Sequence, residues 1–273
     1  MCSGNIHEIC GAGWANSVYY ASCSANPDTY LTNYWPICVG TMNDVIGAAN
    51  MQQGSGTTSF VADRFGNPNS ALALNGGWTS VPPGIYFNSV QFTITVWVYP
   101  LSVGSSARVI DFGNGAAGDN ILLSLDAGGN LIPYFGIYVG GNMLSQPAST
   151  QALALNQWQF LAASFDGSML KIYINGAITT SATVSYTSLT ALTRANNFIG
   201  KSNWANGYSS SYLDDLRFYR TSLSQTQLLN LMSKNDTSST YLSCLDTTTS
   251  TSTSTSTSKI SIKCFKLFLF INC

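Results

Sequence analysis

The stretch WQFLAASFDGSMLKIYINGAITTS, residues 158–181, decides the fold class. Apolar and polar side chains alternate along most of it, which is the period-two pattern of a half-buried β-strand. Asp166-Gly167 and Asn175-Gly176 interrupt the alternation, and both dipeptides tolerate the positive φ of a tight turn. The stretch therefore predicts three antiparallel strands joined by two hairpin turns, with Asn175 and Gly176 as structural turn residues.

The same alternation predicts strands along most of the chain. FTITVWVYP, residues 92–100, alternates between an apolar face and a face that carries Trp97, and five further segments read as strands: ALAL, ARVIDF, NILLSL, LIPYFGIYV and YLDDLRFY. One helix is expected where Ser224, as N-cap, and Gln227 form a capping box. The sequence thus predicts an all-β fold, an antiparallel two-sheet jelly-roll sandwich, with one short C-terminal helix and a disordered tail.

Composition divides the chain into four regions. Residues 1–24 contain cysteines, 25–50 form a connector, 51–235 form the main domain, and 236–273 form a Ser/Thr-rich stalk and unstructured tail. The run TTTSTSTSTSTS has nothing apolar to bury, so it cannot offset the entropy of ordering. Just before the stalk, Asn235 begins an Asn-Asp-Thr sequon and is a candidate glycosylation site.

Charge and cysteine usage indicate where the protein works. Only 8 % of the residues are charged and the formal net charge is -1, so no basic surface is expected for nucleic acid. All seven cysteines lie outside residues 39–243, which suggests disulfides in an oxidising, extracellular or cell-surface setting. The four N-terminal cysteines allow three pairings.

Neither end of the chain carries a complete targeting or anchoring signal. The opening lacks the charged and apolar regions of a signal peptide, which suggests that the true N-terminus is missing. The apolar run near the C-terminus is about seven residues, short of the ~20 that span a bilayer. Membrane attachment is therefore expected only through a missing or truncated anchor.

Several ordered motifs carry a family resemblance. FTITVWVYP, WQFLAASFDGSMLKIYINGA, RANNFIGKS and YLDDLRFYRTSLSQTQLLNLM together resemble the laminin-G-like, concanavalin A-like jelly roll, over about residues 60–232. The opening CSGNIHEICGAGWANSVYYAS resembles the C-terminal end of a WSC domain, with Ala12 where that family prefers glycine. The first resemblance implies a fold that hosts binding modules, adhesion domains and glycosidases alike. The second implies the remnant of a carbohydrate-binding, cell-surface module at residues 1–24.

The residues needed for catalysis are scarce. Glycosidases on this scaffold need two carboxylates that flank the scissile bond. The only glutamate is Glu8 and the only histidine is His7, and both lie outside the jelly roll. We therefore predict that the protein is not an enzyme.

Exposed aromatic residues are the candidate binding groups. The segment GKSNWANGYSSSY places Trp204, Tyr208 and Tyr212 in a loop rich in Gly, Ser and Asn. A ring there can stack on a pyranose or anchor a protein partner. The alternative for Trp204 is to fold back and cap the edge of the sandwich.

The chain has few charged residues, and several of them lie close together in YLDDLRFYR, residues 212–220. On a regular strand Asp214 shares the inward face with Leu216, whereas Asp215 and Arg217 form an exposed ion pair of little structural weight. A buried carboxylate needs several donors or a cation. Asp214 is therefore expected to close the end of the jelly roll, either by accepting N–H groups from the segment near Asn50 or as a calcium ligand. Asp63 is the second candidate ligand for calcium, which prefers oxygen donors.

These observations favour a non-catalytic extracellular recognition module that binds carbohydrate, with calcium as the candidate cofactor. The alternative is a protein–protein adhesion domain without sugar affinity, and a glycosidase is the third reading. Glycans or extracellular proteins are the expected partners.

Overall fold

The computed structural model describes residues 26–88, 90–104, 106–184, 191–205 and 207–233. Within these ranges, fifteen strands and one α-helix follow a short 3-10 helix, Pro27–Tyr30. The strands are β1 (Leu31–Trp35), β2 (Gln52–Gln53), β3 (Thr57–Val61), β4 (Ala71–Asn75), β5 (Thr79–Val81), β6 (Phe92–Pro100), β7 (Arg108–Gly113), β8 (Ile121–Ser124), β9 (Tyr134–Val139), β10 (Asn142–Ser145), β11 (Gln159–Phe165), β12 (Met169–Ile174), β13 (Ala177–Thr183), β14 (Asn196–Ile199) and β15 (Ser210–Tyr219), and the helix is α1 (Gln225–Ser233).

The strands form two antiparallel sheets that pack face to face. The eight-stranded sheet has the order β13-β12-β11-β6-β15-β4-β3, and β1 also pairs with β15. The seven-stranded sheet has the order β10-β9-β8-β7-β14-β5-β2. The predicted two-sheet sandwich with one short helix is confirmed.

The core lies between the sheets and follows the alternation of the strands. In β6, Ile94, Val96 and Val98 are fully buried in the main apolar cluster. Trp97 points the other way and packs against a smaller cluster on the outer face of the eight-stranded sheet. Since α1 buries Leu228 in that smaller cluster, the helix covers part of the outer face.

The predicted local signals of the hairpin and the helix are present. Asn175 and Gly176 both have positive φ, 50° and 78°, between β12 and β13. The Asn175 side-chain oxygen also accepts the N–H of Phe160 at 2.9 Å, which ties the turn to β11. At α1, the N–H of Ser224 donates to the Gln227 side chain at 2.9 Å while the N–H of Gln227 donates to the Ser224 hydroxyl at 3.3 Å, the reciprocal pair of a capping box.

The predicted connector, residues 25–50, is part of the sandwich instead. It contributes β1, and Trp35 in that strand is fully buried in the main core. The Trp35 indole donates to the carbonyl of Ala49 at 2.8 Å. The Asp44 carboxylate holds the intervening loop, because it accepts N–H groups from Tyr34, Gly47 and Ala49, among others. The segment near Asn50 is therefore secured by Asp44, not by Asp214 as predicted.

A β-bulge at Asp215 changes the predicted direction of Asp214. Asp215 has a φ of 54°, and the pairing of β15 with β6 shifts register between Asp214 and Arg217. The bulge lies where the other edge of β15 changes partner, from β4 before Asp214 to β1 after Asp215. Leu213 and Leu216 both face the core, so Asp214 lies on the outer face beside its cross-strand partner Trp97. The prediction that Asp214 points inward is wrong because it assumed an uninterrupted period of two.

Several sequence predictions fall outside the described residues: the WSC-like remnant at 1–24, the sequon at Asn235 and the Ser/Thr-rich tail. Within the described ranges, no helix has both the length and the apolar character needed to cross a membrane.

Candidate functional site

The two candidate calcium ligands lie on either side of an arginine. The Asp63 carboxylate accepts the N–H groups of Phe65 and Asn67 at 2.9 and 2.8 Å, and so fixes the turn that presents Arg64. The Arg64 guanidinium lies 2.5 Å from the Asp214 carboxylate and 2.7 Å from that of Asp215. The cation that Asp214 requires is therefore supplied by the chain itself.

Asp215 and Arg217 belong to the same network and are buried. Their side chains are 2 % and 8 % exposed, and they pair at 3.0 Å. Tyr34 of β1 covers them, since its hydroxyl donates to Asp215 at 2.5 Å and its ring lies 4.1 Å from the Arg217 guanidinium carbon. The prediction of an exposed ion pair is wrong because β1, taken for a connector, lies over it.

This charge network does not fit a calcium site. Its carboxylates already contact guanidinium groups, and among the described residues no three His, Cys, Asp or Glu side chains cluster as metal ligands would. A calcium ion at Asp214 would have to displace Arg64. The calcium hypothesis remains a prediction that the donor set does not favour.

A cleft of about 490 Å³ lies on the outer face of the seven-stranded sheet, beside the loop that follows β14. We call it the aromatic cleft. Aromatic, amide and ammonium groups line it: Asn196, Phe198, Lys201, Asn203, Trp204 and Tyr208.

The rings of the aromatic cleft differ in how firmly they are held. Trp204 is half-buried and packs against Tyr138 of β9, with ring centres 5.2 Å apart. Burial raises the pKa of the Tyr138 hydroxyl, which donates to the Gln146 side chain at 2.8 Å. Tyr208 is 50 % exposed. The cleft thus combines a packed indole with an accessible phenol.

A buried carboxylate holds the loop that carries Trp204. Asp111 of β7 is fully buried and accepts the N–H of Asn203 at 2.9 Å as well as its side-chain amide at 3.0 Å. Asn120 donates to the same carboxylate at 2.7 Å, and the guanidinium of Arg108 lies 3.5 Å away. The loop is therefore anchored from beneath, which fixes the position of Trp204 before any ligand arrives.

Tyr212 does not join the aromatic cleft. It lies in β15 on the outer face of the eight-stranded sheet, stacked on Tyr99 with ring centres 5.2 Å apart and 18° between the planes. Trp158 packs on the edge of Tyr99 at 5.6 Å. The structure thus brings Trp204 and Tyr208 together, as predicted, and places Tyr212 on the opposite side of the sandwich.

Sequence reasoning missed Trp78, Phe198 and Lys201. The ring of Trp78 packs edge-on against Phe198 of β14, with centres 5.1 Å apart. The Lys201 ammonium lies 4.3 Å from the centres of both rings. The motif NNFIGKSNW contains two of these residues, but their meeting with Trp78 depends on the pairing of β14 with β5, which no local pattern reveals.

Carboxylates are absent from the residues that line the aromatic cleft and from those of a second cleft, of about 410 Å³, near Asn33 and Ile85. Eight of the nine aspartates in the described ranges have carboxylates that accept hydrogen bonds or form ion pairs within the fold: Asp44, Asp63, Asp111, Asp119, Asp126, Asp166, Asp214 and Asp215. At Asp126 burial acts to raise the pKa, but N–H groups of Asn130, Gly128 and Gly104 outweigh it and lower the pKa. These carboxylates therefore make contacts within the fold. Neither cleft has a pair of carboxylates among its lining residues, as the acid–base pair of a glycosidase would require.

Solved structures with the same fold include carbohydrate-binding proteins. Domain 4 of AbnA, an extracellular GH43 arabinanase from Geobacillus stearothermophilus solved with arabinotriose, is 21 % identical, with a TM-score of 0.60 over 74 % of this chain and 98 % of that one. Botulinum neurotoxin type C, described as entering cells through two ganglioside molecules, is 16 % identical, with a TM-score of 0.56 over 76 % of this chain and 52 % of that one. The binding domain of botulinum neurotoxin DC, in complex with SialylT, is 15 % identical, with a TM-score of 0.55 over 75 % and 51 %.

These identities establish a shared fold alone, and the chain spans about half the length of the two toxin chains. A search of curated proteins found no significant match. A family model named Laminin_G_3, described as the concanavalin A-like lectin/glucanases superfamily, matches residues 74–229 and does not reach the WSC-like segment. Because that match covers more than half of the chain, the protein belongs to the concanavalin A-like lectin/glucanases superfamily.

Proposed function

We propose that the protein is a non-catalytic, extracellular recognition module that binds carbohydrate in the aromatic cleft. The observation that carries this proposal is the composition of the cleft: aromatic rings, amides and one ammonium group, with no carboxylate among the lining residues. Such a site can hold a sugar but lacks the pair of carboxylates with which most glycosidases protonate and attack a glycosidic bond.

The chemistry of the cleft suits a sugar ring. A pyranose has an apolar C–H face and a rim of hydroxyl groups, so it needs a flat apolar surface with polar groups at its edge. Trp204 and Tyr208 supply rings, while Asn196, which is exposed, supplies an amide at the rim. Because Asp111 anchors the loop from below, little ordering entropy is lost on binding.

The comparisons add support of a general kind. The arabinanase domain was solved with arabinotriose, and the neurotoxin is described as interacting with gangliosides. Both show that this fold can belong to proteins that bind sugars.

A glycan array probed with the full chain tests the proposal. We expect the wild type to bind a subset of glycans, and Trp204→Ala or Tyr208→Ala to reduce that binding at least tenfold, a loss of about 1.4 kcal/mol. Trp158→Ala is the matched control, because it removes an indole from the opposite side of the sandwich. Thermal melting of each variant shows that the fold is kept.

The array also separates the alternatives. Binding that survives both cleft substitutions would place the sugar site elsewhere. Binding that disappears with a calcium chelator would restore the calcium hypothesis. Silence on the array, with retained capture of an extracellular protein, would support the adhesion alternative, and release of reducing sugar would refute the non-catalytic assignment.

A further inference from the structure

We propose that the aromatic cleft selects glycans that carry an acidic group, and that Lys201 binds that group. This inference rests on the function proposed above and narrows its ligand class. Lys201 lines the cleft together with Trp204 and Tyr208, so the lysine belongs to the same site as these two rings.

Two aromatic rings hold the Lys201 ammonium in place. It lies 4.3 Å from the ring centre of Trp78 and 4.3 Å from that of Phe198, within the range of a cation–π contact. The two rings pack edge-to-face on each other and form a corner that receives the lysine. A long, flexible side chain is thereby held near the cleft without being neutralised.

The corner itself is firmly built. The Trp78 indole N–H donates to the Ser55 hydroxyl at 3.0 Å. Gly54 lies against the ring so closely that a Cβ atom there would be 2.3 Å from it. Glycine at position 54 therefore lets the indole lie flat against the backbone, and the indole in turn positions Lys201.

The positive charge of Lys201 is not balanced within the described residues. No acidic side chain in those ranges forms an ion pair with it. Asp111 beneath the cleft is engaged by Arg108 and by the amides of Asn120 and Asn203. Lys171 offers the contrast, because its ammonium pairs with Asp166 at 2.8 Å.

A cation that has no acidic partner in the described ranges, and that lies in the same site as aromatic rings, favours a ligand that offers an apolar ring face and an anionic oxygen together. Acidic sugars have this combination, as a carboxylate in uronic and sialic acids or as a sulfate ester. Both groups accept charge-assisted hydrogen bonds from an ammonium. Carboxylates and sulfate esters both supply the anionic oxygen that Lys201 would bind, and the experiment must distinguish these two groups.

Matched glycan pairs test the proposal with the whole 273-residue chain. The probes are oligogalacturonate against its carboxyl-reduced form, sialyllactose against lactose, and a sulfated against an unsulfated galactoside. For a partly exposed ion pair we expect the wild type to prefer the acidic member by about twofold to fivefold. The pair that shows the preference identifies carboxylate or sulfate as the group bound. Raising the ionic strength should reduce the preference, because salt screens an exposed pair.

Substitutions then assign the preference to one residue. Lys201→Gln should abolish the preference, whereas Lys201→Arg should retain it. Lys171→Gln removes a charge that is already paired, so it should leave the preference intact.

The outcomes separate this inference from the proposed function. Equal binding of acidic and neutral members, unaffected by Lys201→Gln, would overturn the selection of acidic glycans while carbohydrate binding stands. A preference that persists in Lys201→Gln would assign it to another residue and also overturn the inference. If wild-type protein that melts cooperatively bound no member of any pair, both the selection of acidic glycans and the proposed carbohydrate binding would be overturned.

Discussion

Replacing Arg64 with methionine removes the cation that joins Asp214 and Asp215. The Arg64 side chain is 7 % exposed, and the two carboxylates are 4 % and 2 % exposed, so the pairs are buried. Its guanidinium also lies 4.6 Å from the ring centre of Trp97. Methionine keeps the apolar stem but loses both ion pairs and the contact with the ring.

The expected loss of stability follows from burial. Removing one partner of a buried ion pair typically costs about 3–5 kcal/mol, because the remaining charge stays buried. Asp215 keeps its contacts with Arg217 and Tyr34, so we expect the lower end of the range. For a domain of this size, about 3 kcal/mol corresponds to a fall in melting temperature of about 6–12 °C.

Lys171→Met is the matched control, since it removes a cation from a pair whose side chains are 26 % and 25 % exposed. An exposed pair of this kind contributes at most about 1 kcal/mol. Urea unfolding followed by circular dichroism gives both free energies of unfolding. Equal losses for Arg64→Met and Lys171→Met would refute the reasoning, as would strict additivity of Arg64→Met with Asp214→Asn, because residues in contact should couple.

Three further substitutions test local features of the structure. Ser224→Ala removes one half of the capping box and should lower the free energy of unfolding by about 1 kcal/mol in urea; an unchanged midpoint would contradict this role. For Asp166, burial acts to raise the pKa, but the Lys171 ammonium and nearby N–H groups outweigh it and lower the pKa to about 2. The ionised carboxylate therefore stabilises the fold above the unfolded pKa near 4, and this stabilisation is lost as the pH falls toward 2. The difference in free energy of unfolding between wild type and Asp166→Asn should shrink over that window. A difference that stays constant with pH would rule out a stabilising role for the Asp166 charge. Gly207→Ala should reduce glycan binding, because position 207 has a φ of 83° and a Cβ there would lie 2.2 Å from the backbone carbonyl oxygen of Ser106. Gly129→Ala is the control: position 129 has a φ of 86° but lies in open space, so binding should not change. Equal effects on binding would contradict the steric argument.

Local patterns predicted the parts of the fold that depend on neighbouring residues. The alternation in β6 correctly separated the core face of Ile94 from the outer face of Trp97. Asn175 and Gly176 marked a turn whose backbone requires positive φ, and the pair Ser224 and Gln227 marked the start of α1. In each case the deciding interaction spans a few residues, so the sequence alone expresses it.

Features that depend on distant pairing were not predictable in the same way. The bulge at Asp215 occurs where β15 exchanges one neighbour strand for another, and nothing in YLDDLRFY marks that exchange. β1 was missed because its strand partner, β15, lies about 180 residues later in the chain. The sequence indicated that a buried Asp214 needs several hydrogen-bond donors or a cation, but only the folded chain places Arg64 beside it.

The candidate site also combines features that the local sequence predicted with features that depend on distant strand pairing. Trp204 and Tyr208 belong to one loop, and the composition of that loop predicted them as candidate binding residues. Tyr212, four residues further on, has already entered β15, where it faces the other side of the sandwich. Trp78 meets Phe198, which lines the cleft, only through the pairing of β5 with β14.

Fluorine NMR of the chain labelled with fluorotryptophan tests the central claim most directly. The sequence has six tryptophans, so the spectrum is simple enough to assign with single substitutions. If the aromatic cleft binds carbohydrate, adding a glycan selected on the array shifts the resonance of Trp204 and leaves those of Trp35, in the core, and Trp158, on the opposite sheet, unchanged. A shift confined to Trp158, or a spectrum that does not respond to a bound glycan, would contradict the assignment.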